Sequence, residues 1–195
     1  SLLCQANSHY ALSQYGIAIE TTEQGLRTLS ALDDRQIIIT KAHLLGVGAD
    51  CAMMAGDHHL ARQKLDKVEI LLAHIKPNEE FDRGSWCQLM GKCEYLTGNY
   101  RTAAHWYERA LAEVPSEWVL RRALVLTSLI STYTVLQDCE ASMMAVEKAV
   151  PLPQQLQVPS MNKPLTQALQ GLLIVFPYET RITTMVADLL QQIHK

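Results

Sequence analysis

Residues 84–117 read GSWCQLMGKCEYLTGNYRTAAHWYERALAEVPSE, and the fold is decided here. Gly98-Asn99-Tyr100 marks a turn between two apolar segments, because glycine and asparagine are common where a chain leaves a helix. Pro115 ends the second segment, since proline cannot continue a helix. The stretch therefore predicts two short helices joined by a tight turn.

The rest of the chain supports helices. It has 195 residues, 48% hydrophobic and 19% charged, which is globular and not disordered. Only Phe81 and Phe176 are phenylalanine, while Leu, Ala, Met and Gln abound, a balance that favours helix over sheet. A net charge of −3 gives no field to attract nucleic acid or an anionic membrane. The nearest approach to a basic patch, Arg121-Arg122, reads as a solvated helix face. The five cysteines (Cys4, Cys51, Cys87, Cys93, Cys139) are odd in number and form no CxxC pair. That argues against a disulfide framework and a zinc site, and for a reducing, cytoplasmic setting. No long uncharged apolar run and no basic-headed signal segment is present, so no membrane span is expected.

Further turns repeat the theme. Gly56-Asp57 and Asp138 interrupt apolar stretches, and successive turns at Asp57, Asn99 and Asp138 are 42 and 39 residues apart. The helix before Asp57, about Ile37 to Ala55, is dense in small residues. At the N-terminus, Leu2 to about Ile19 and Thr22 to Leu32 predict another hairpin, with Thr21 and Gln24 resembling a capping box. Pro151 to Pro159 predicts a linker, followed by helices at Asn162–Val175 and Tyr178–Ile193.

Residues 84–115 resemble a tetratricopeptide repeat. Its 34-residue pattern opens W-x-x-L-G-x-x-Y and continues with an alanine, an aromatic and a proline. With Gly84 first, the glycine falls on Gly91, the alanine on Ala103, the aromatic on Tyr107 and the proline on Pro115. Cys87 departs from the tryptophan, Met90 from the leucine and Glu94 from the tyrosine, with Trp86 one residue early. Residues 42–83 (Ala61 at the alanine, Leu65 replacing the aromatic) and 123–156 (Tyr133, Ser142, Ala149) fit more loosely. The family implies that Gly91 and Ala103 meet where helices cross. It also implies an all-α, right-handed α-solenoid of about five antiparallel hairpins over 1–195, capped by hairpins at 1–33 and 161–195. The C-terminal order of helices and turns is similar to the sensor regions of bacterial Xre-type helix-turn-helix regulators. That implies a DNA-binding module before Ser1 in a longer protein.

The resemblance implies a concave peptide-binding face lined by the first helix of each repeat. On this chain it maps to His43, Gly46, Asp50 and Met53; to Ser85, Gln88, Lys92 and Tyr95; and to Leu124, Thr127, Ser131 and Thr134. Only Lys92 among them is basic, so a small or neutral peptide is expected there, not an acidic one. His58-His59, with His43 and His74, invites a metal reading, but adjacent residues do not share a helix face. No catalytic motif occurs, and no cofactor is expected. Met53-Met54 and Met143-Met144 read as core, and the apolar stripe Ile182, Met185, Val186, Leu189, Leu190, Ile193 reads as a candidate self-association face. The sequence thus predicts a protein- or peptide-interaction module, not an enzyme. Two roles are open: sensor or assembly domain of a bacterial regulator, or a non-switching scaffold.

Overall fold

The computed structural model describes residues 2–30, 34–76, 79–152 and 159–193. Most of the expected linker, at 153–158, and the expected helix end at Leu32 lie outside them. The chain divides into two compact units, Ser1–Thr97 and Gly98–Lys195. Unit 1 holds α1 (Leu2–Ala11), α2 (Tyr15–Leu29), α3 (Arg35–Met54), α4 (His58–Leu71) and α5 (Arg83–Leu96). A short 3-10 turn, Leu72–His74, follows α4. Unit 2 holds α6 (Tyr100–Glu113), α7 (Val119–Leu136), α8 (Cys139–Ala149), α9 (Pro159–Val175) and α10 (Thr180–Ile193). No strand occurs among the described residues.

In unit 1, α3 is the central helix, packed on α1, α2, α4 and α5. Its small residues explain this: Ala42, Ala49 and Ala52 are fully buried, and short side chains let several backbones approach at once. Gly56, at φ 82°, makes the turn that ends α3, a conformation other residues adopt only at a cost. Asp57 then caps α4, its carboxylate accepting from the Leu60 N–H at 2.9 Å. The first hairpin differs from the prediction. The chain breaks at 12–14, where Ser13 takes φ 58°, and not near Ile19. Thr21 caps nothing; inside α2 its hydroxyl donates to the Ile17 carbonyl at 2.8 Å.

The departures of residues 84–97 from the repeat pattern have physical reasons. Trp86 is buried and its Nε1–H donates to the Leu65 carbonyl at 3.0 Å. Cys87, in the pattern's tryptophan place, is fully buried beside it in sequence. Glu94, where a tyrosine was expected, accepts from Arg62 of α4 at 2.9 Å.

In unit 2, α7 is central, packed on α6, α8 and α9. It runs from Val119 to Leu136 and is closed by Gln137, which is left-handed at φ 56°. Asp138 caps α8 through the Ala141 N–H at 3.0 Å. Of the candidate self-association stripe, Ile182, Val186 and Leu189 are buried within unit 2, where α10 packs on α8 and α9, whereas Met185, Leu190 and Ile193 are half-buried. The paired methionines are corrected by half. Met53 and Met143 are core, but Met54 and Met144 are 43% and 49% exposed, because neighbours on a helix point about 100° apart.

Helices α3 and α7 are also long and apolar enough to cross a membrane by length and composition. Each is the hub of its own unit, which accounts for the same composition. Charged residues interrupt both: Lys41 and Asp50 in α3, Arg121 and Arg122 in α7.

Candidate functional site

Five of the residues predicted for the peptide face come together. His43, Gly46 and Asp50 of α3 and Ser85 and Gln88 of α5 line one groove of about 250 Å³ in unit 1, with Val47, Glu80, Phe81 and Leu89. The first three sit at intervals of three and four on α3, and the last two three apart on α5, so each set shares a helix face. Gly46 leaves room for the Phe81 ring, which precedes α5: a Cβ there would lie 2.4 Å from Phe81 Cε2 and 3.2 Å from Leu89 Cδ1 of α5.

Two predicted residues have structural duties instead of free polar groups. Ser85 is the third residue of α5 and completes a capping box with Asp82, whose carboxylate accepts from the Ser85 N–H at 3.0 Å. Lys92 donates to Asp50 at 2.5 Å and to the Tyr10 hydroxyl at 3.3 Å. Its charge is therefore already answered, which removes the cation a carboxylate-bearing peptide would need. Tyr95 is half-buried and does not line the groove, and Met53 is buried. Of the lining, Val47, Leu89, Glu80 and Phe81 escaped the sequence reading, as did Tyr10 behind the groove. Tyr10 comes from α1, 82 positions from Lys92, and no local signal could have paired them. Glu80 and Phe81 lie in the segment before α5; Glu79 pairs with Arg35 and Glu80 faces His43 at 3.5 Å.

Electrostatics make the groove neutral to slightly acidic. Burial lowers the His43 pKa despite the opposing pull of Glu80, so the ring is uncharged at neutral pH. Phe81 packs near it, with ring centroids 5.7 Å apart. Glu80 is 65% exposed at the rim. Behind the groove, burial pushes the Tyr10 pKa up, and Asp50 adds to it. Burial alone would lower Lys92, but Asp50 outweighs it and the pKa rises. Burial also pushes the Cys51 thiol up to about 11, with Asp50 acting the same way.

The Tyr10, Lys92 and Cys51 shifts share one sign, opposite to that of His43. In each case the folded chain keeps a proton that the unfolded chain releases at a lower pH. Their stabilisation is complete below the unfolded pKa values, about 9 to 10.5, and is lost as pH rises through the folded ones. Thermal melts from pH 7 to 11 are expected to show a midpoint that is flat at first and then falls steadily from about pH 9. Asp50→Asn should flatten that fall. A midpoint that rises with pH over the same range would contradict the assignment.

The unit 2 part of the predicted face is different. Thr127, Ser131 and Thr134 donate to the carbonyls of Ala123, Thr127 and Ile130 at 2.8, 3.0 and 2.6 Å. Each hydroxyl is turned onto its own helix. Thr134 is only 8% exposed, so it is withdrawn from the face; Leu124, Thr127 and Ser131 are half-buried. Among the described residues, no three metal-ligating side chains cluster, and Cys51, Cys87 and Cys93 are buried thiols.

No protein-family model matches the chain, and no curated protein matches it in sequence. Solved structures do. A kinesin light chain-like protein of Podosopora anserina with nearly identical TPR-like repeats is 16% identical, at a TM-score of 0.68, over 100% of this chain and 92% of that one. A single-substitution variant of that protein gives 15% identity and 0.67 over 98% and 92%. BtubC (BKLC) of P. vanneervenii is 14% identical at 0.61, over 100% and 74%. The fold is therefore all-α and of the TPR-like repeat type.

Proposed function

We propose that this TPR-like chain is a protein- or peptide-interaction module and that the α3–α5 groove receives an extended, uncharged segment of its partner. One observation carries the reading: His43, Asp50, Ser85 and Gln88, distant in sequence, line a single groove. His43 and Gln88 suit a peptide backbone, and the Lys92–Asp50 pair leaves no cation for an acidic ligand. We further propose that the chain acts in the cytoplasm as the sensor or assembly domain of a bacterial signalling or transcriptional regulator. The likeness of its C-terminal helices to Xre-type regulators supports that role, as does a groove that a small ligand could fill. In this mechanism a ligand biases the conformation of an attached output module. The scaffold reading differs in having no ligand-driven change. A radius of gyration that shrinks on ligand addition favours the sensor, and one that stays constant favours the scaffold.

The test is affinity capture. Immobilised wild-type chain and Gln88→Trp are exposed to host lysate and spent medium, and retained species are identified by mass spectrometry. Gln88→Trp fills the groove from its rim. Lys92 is left intact, because a carboxylate there would oppose Asp50 and test stability instead of binding. A short peptide should be retained by the wild type and fall by about tenfold or more with the variant. A protein retained equally by both would sink the groove assignment and favour a scaffold using another face.

A further inference from the structure

Unit 2 contains a separate cleft of about 340 Å³ between α6, α7 and α8, lined by none of the residues predicted for the peptide face. That volume falls in the range of small-molecule sites, roughly 300–1,000 Å³. Its floor is apolar, with Leu126 and Leu129 of α7 buried and Met144 of α8 49% exposed beside them. Its polar groups are segregated. Arg122 sits in the first turn of α7, and antiparallel α8 brings Lys148, in its last turn, back toward that end. Among the described residues neither has an ion-pair partner. Arg122 donates one N–H to the Val114 carbonyl at 3.0 Å, and a guanidinium carries five such donors. Tyr133 and Glu108 also line the cleft, the Tyr133 hydroxyl donating to the Glu108 carboxylate at 2.6 Å. From Arg122 to Tyr133 the helix rises roughly 16 Å.

The cleft thus has an apolar floor, two cations at one end, and one carboxylate that Tyr133 already hydrogen-bonds. An exposed methionine beside that floor suits a flexible apolar ligand, and two unanswered cations suit an anion. We propose that this cleft binds a small amphiphilic carboxylate, a medium-chain fatty acid, with its carboxylate between Arg122 and Lys148 and its chain over Leu126, Leu129 and Met144. The inference does not depend on the α3–α5 groove.

Isothermal titration with decanoate, kept below its micelle concentration, tests it, with decanol and decylamine as partners of equal chain length. Decanoate is expected to bind with a dissociation constant below about 1 mM, and decanol and decylamine about tenfold or more weaker. The double variant Arg122→Gln/Lys148→Gln should lose about tenfold, while Arg101→Gln, on the exposed side of α6, should match the wild type. Ala112→Trp, which fills the cleft from its rim, should abolish binding while circular dichroism stays unchanged. If the double variant does not fold, the Ala112→Trp result and the decanol comparison decide. Equal affinity for decanoate and decanol, or decanoate binding untouched by Ala112→Trp, would overturn the proposal. So would an absence of decanoate binding, including the case where a peptide with a free C-terminal carboxylate binds in its place.

Discussion

Glu23→Gln is expected to destabilise the chain by about 3 kcal/mol, while Lys64→Met at the other end of the same ion pair should change stability by less than about 1 kcal/mol. The asymmetry follows from burial. The Lys64 side chain, on α4, is 3% exposed, and its ammonium meets the Glu23 carboxylate of α2, which is 42% exposed. Its stem passes over α3 at Gly48, where an added Cβ would come within 3.2 Å of Lys64 Cδ and 2.9 Å of Thr22 Oγ1. Removing the carboxylate strands a desolvated cation, and an uncompensated buried charge is the costly outcome. Replacing the lysine with methionine keeps the stem and its packing and leaves behind a carboxylate that water already reaches. Urea unfolding of the two single variants and the double variant measures this directly. The double variant should recover most of what Glu23→Gln loses, because the stranded charge is gone. Equal losses for both single variants, or a larger loss for Lys64→Met, would show that the pair contributes as an attraction and not as the cover of a buried charge.

That lysine also marks where sequence reasoning stops. A lone Lys in the middle of α4 reads as solvated, since lysine is rarely buried, and its burial depends on a glycine in another helix and a glutamate in a third. What was legible was local. The turn at Gly56-Asp57 and the end of α7 at Asp138 were visible because turn and capping residues act within a few positions. The spacing of His43 to Asp50 and of Ser85 to Gln88 likewise placed each set on one helix face. The failures are of two kinds. Ser13 ends α1 in a left-handed conformation that no glycine or proline announces, so the first break was misplaced. Lys92 read as a groove cation because its neutralising partners come from α1 and α3, and Thr134 read as exposed although it is buried against its own unit. Fold was readable from periodic punctuation; which polar groups are free to meet a ligand depends on contacts between distant helices.

Trp86 brings both lessons to one residue and carries the second large effect. The repeat pattern wants its tryptophan one position later, at Cys87, and both are buried, at 3% and 0% exposure. The indole nevertheless anchors α5 to α4, its N–H donating to the Leu65 carbonyl at 3.0 Å. Trp86→Ala is expected to cost about 3–5 kcal/mol, the usual range for emptying a buried aromatic site. Trp86→Phe should cost about 1 kcal/mol, because it keeps most of the ring's packing and loses mainly the hydrogen bond. Cys87→Ala should cost about 1 kcal/mol, since only a sulfur's worth of buried volume is lost. Urea midpoints of the three variants rank the contributions. Were Cys87→Ala to cost more than Trp86→Ala, the pattern position would be the true anchor and Trp86 an incidental neighbour. With the expected ranking, the α4–α5 contact has moved its large side chain one residue along the helix and compensated by making the pattern position small, so that only one of the two bulky places is filled.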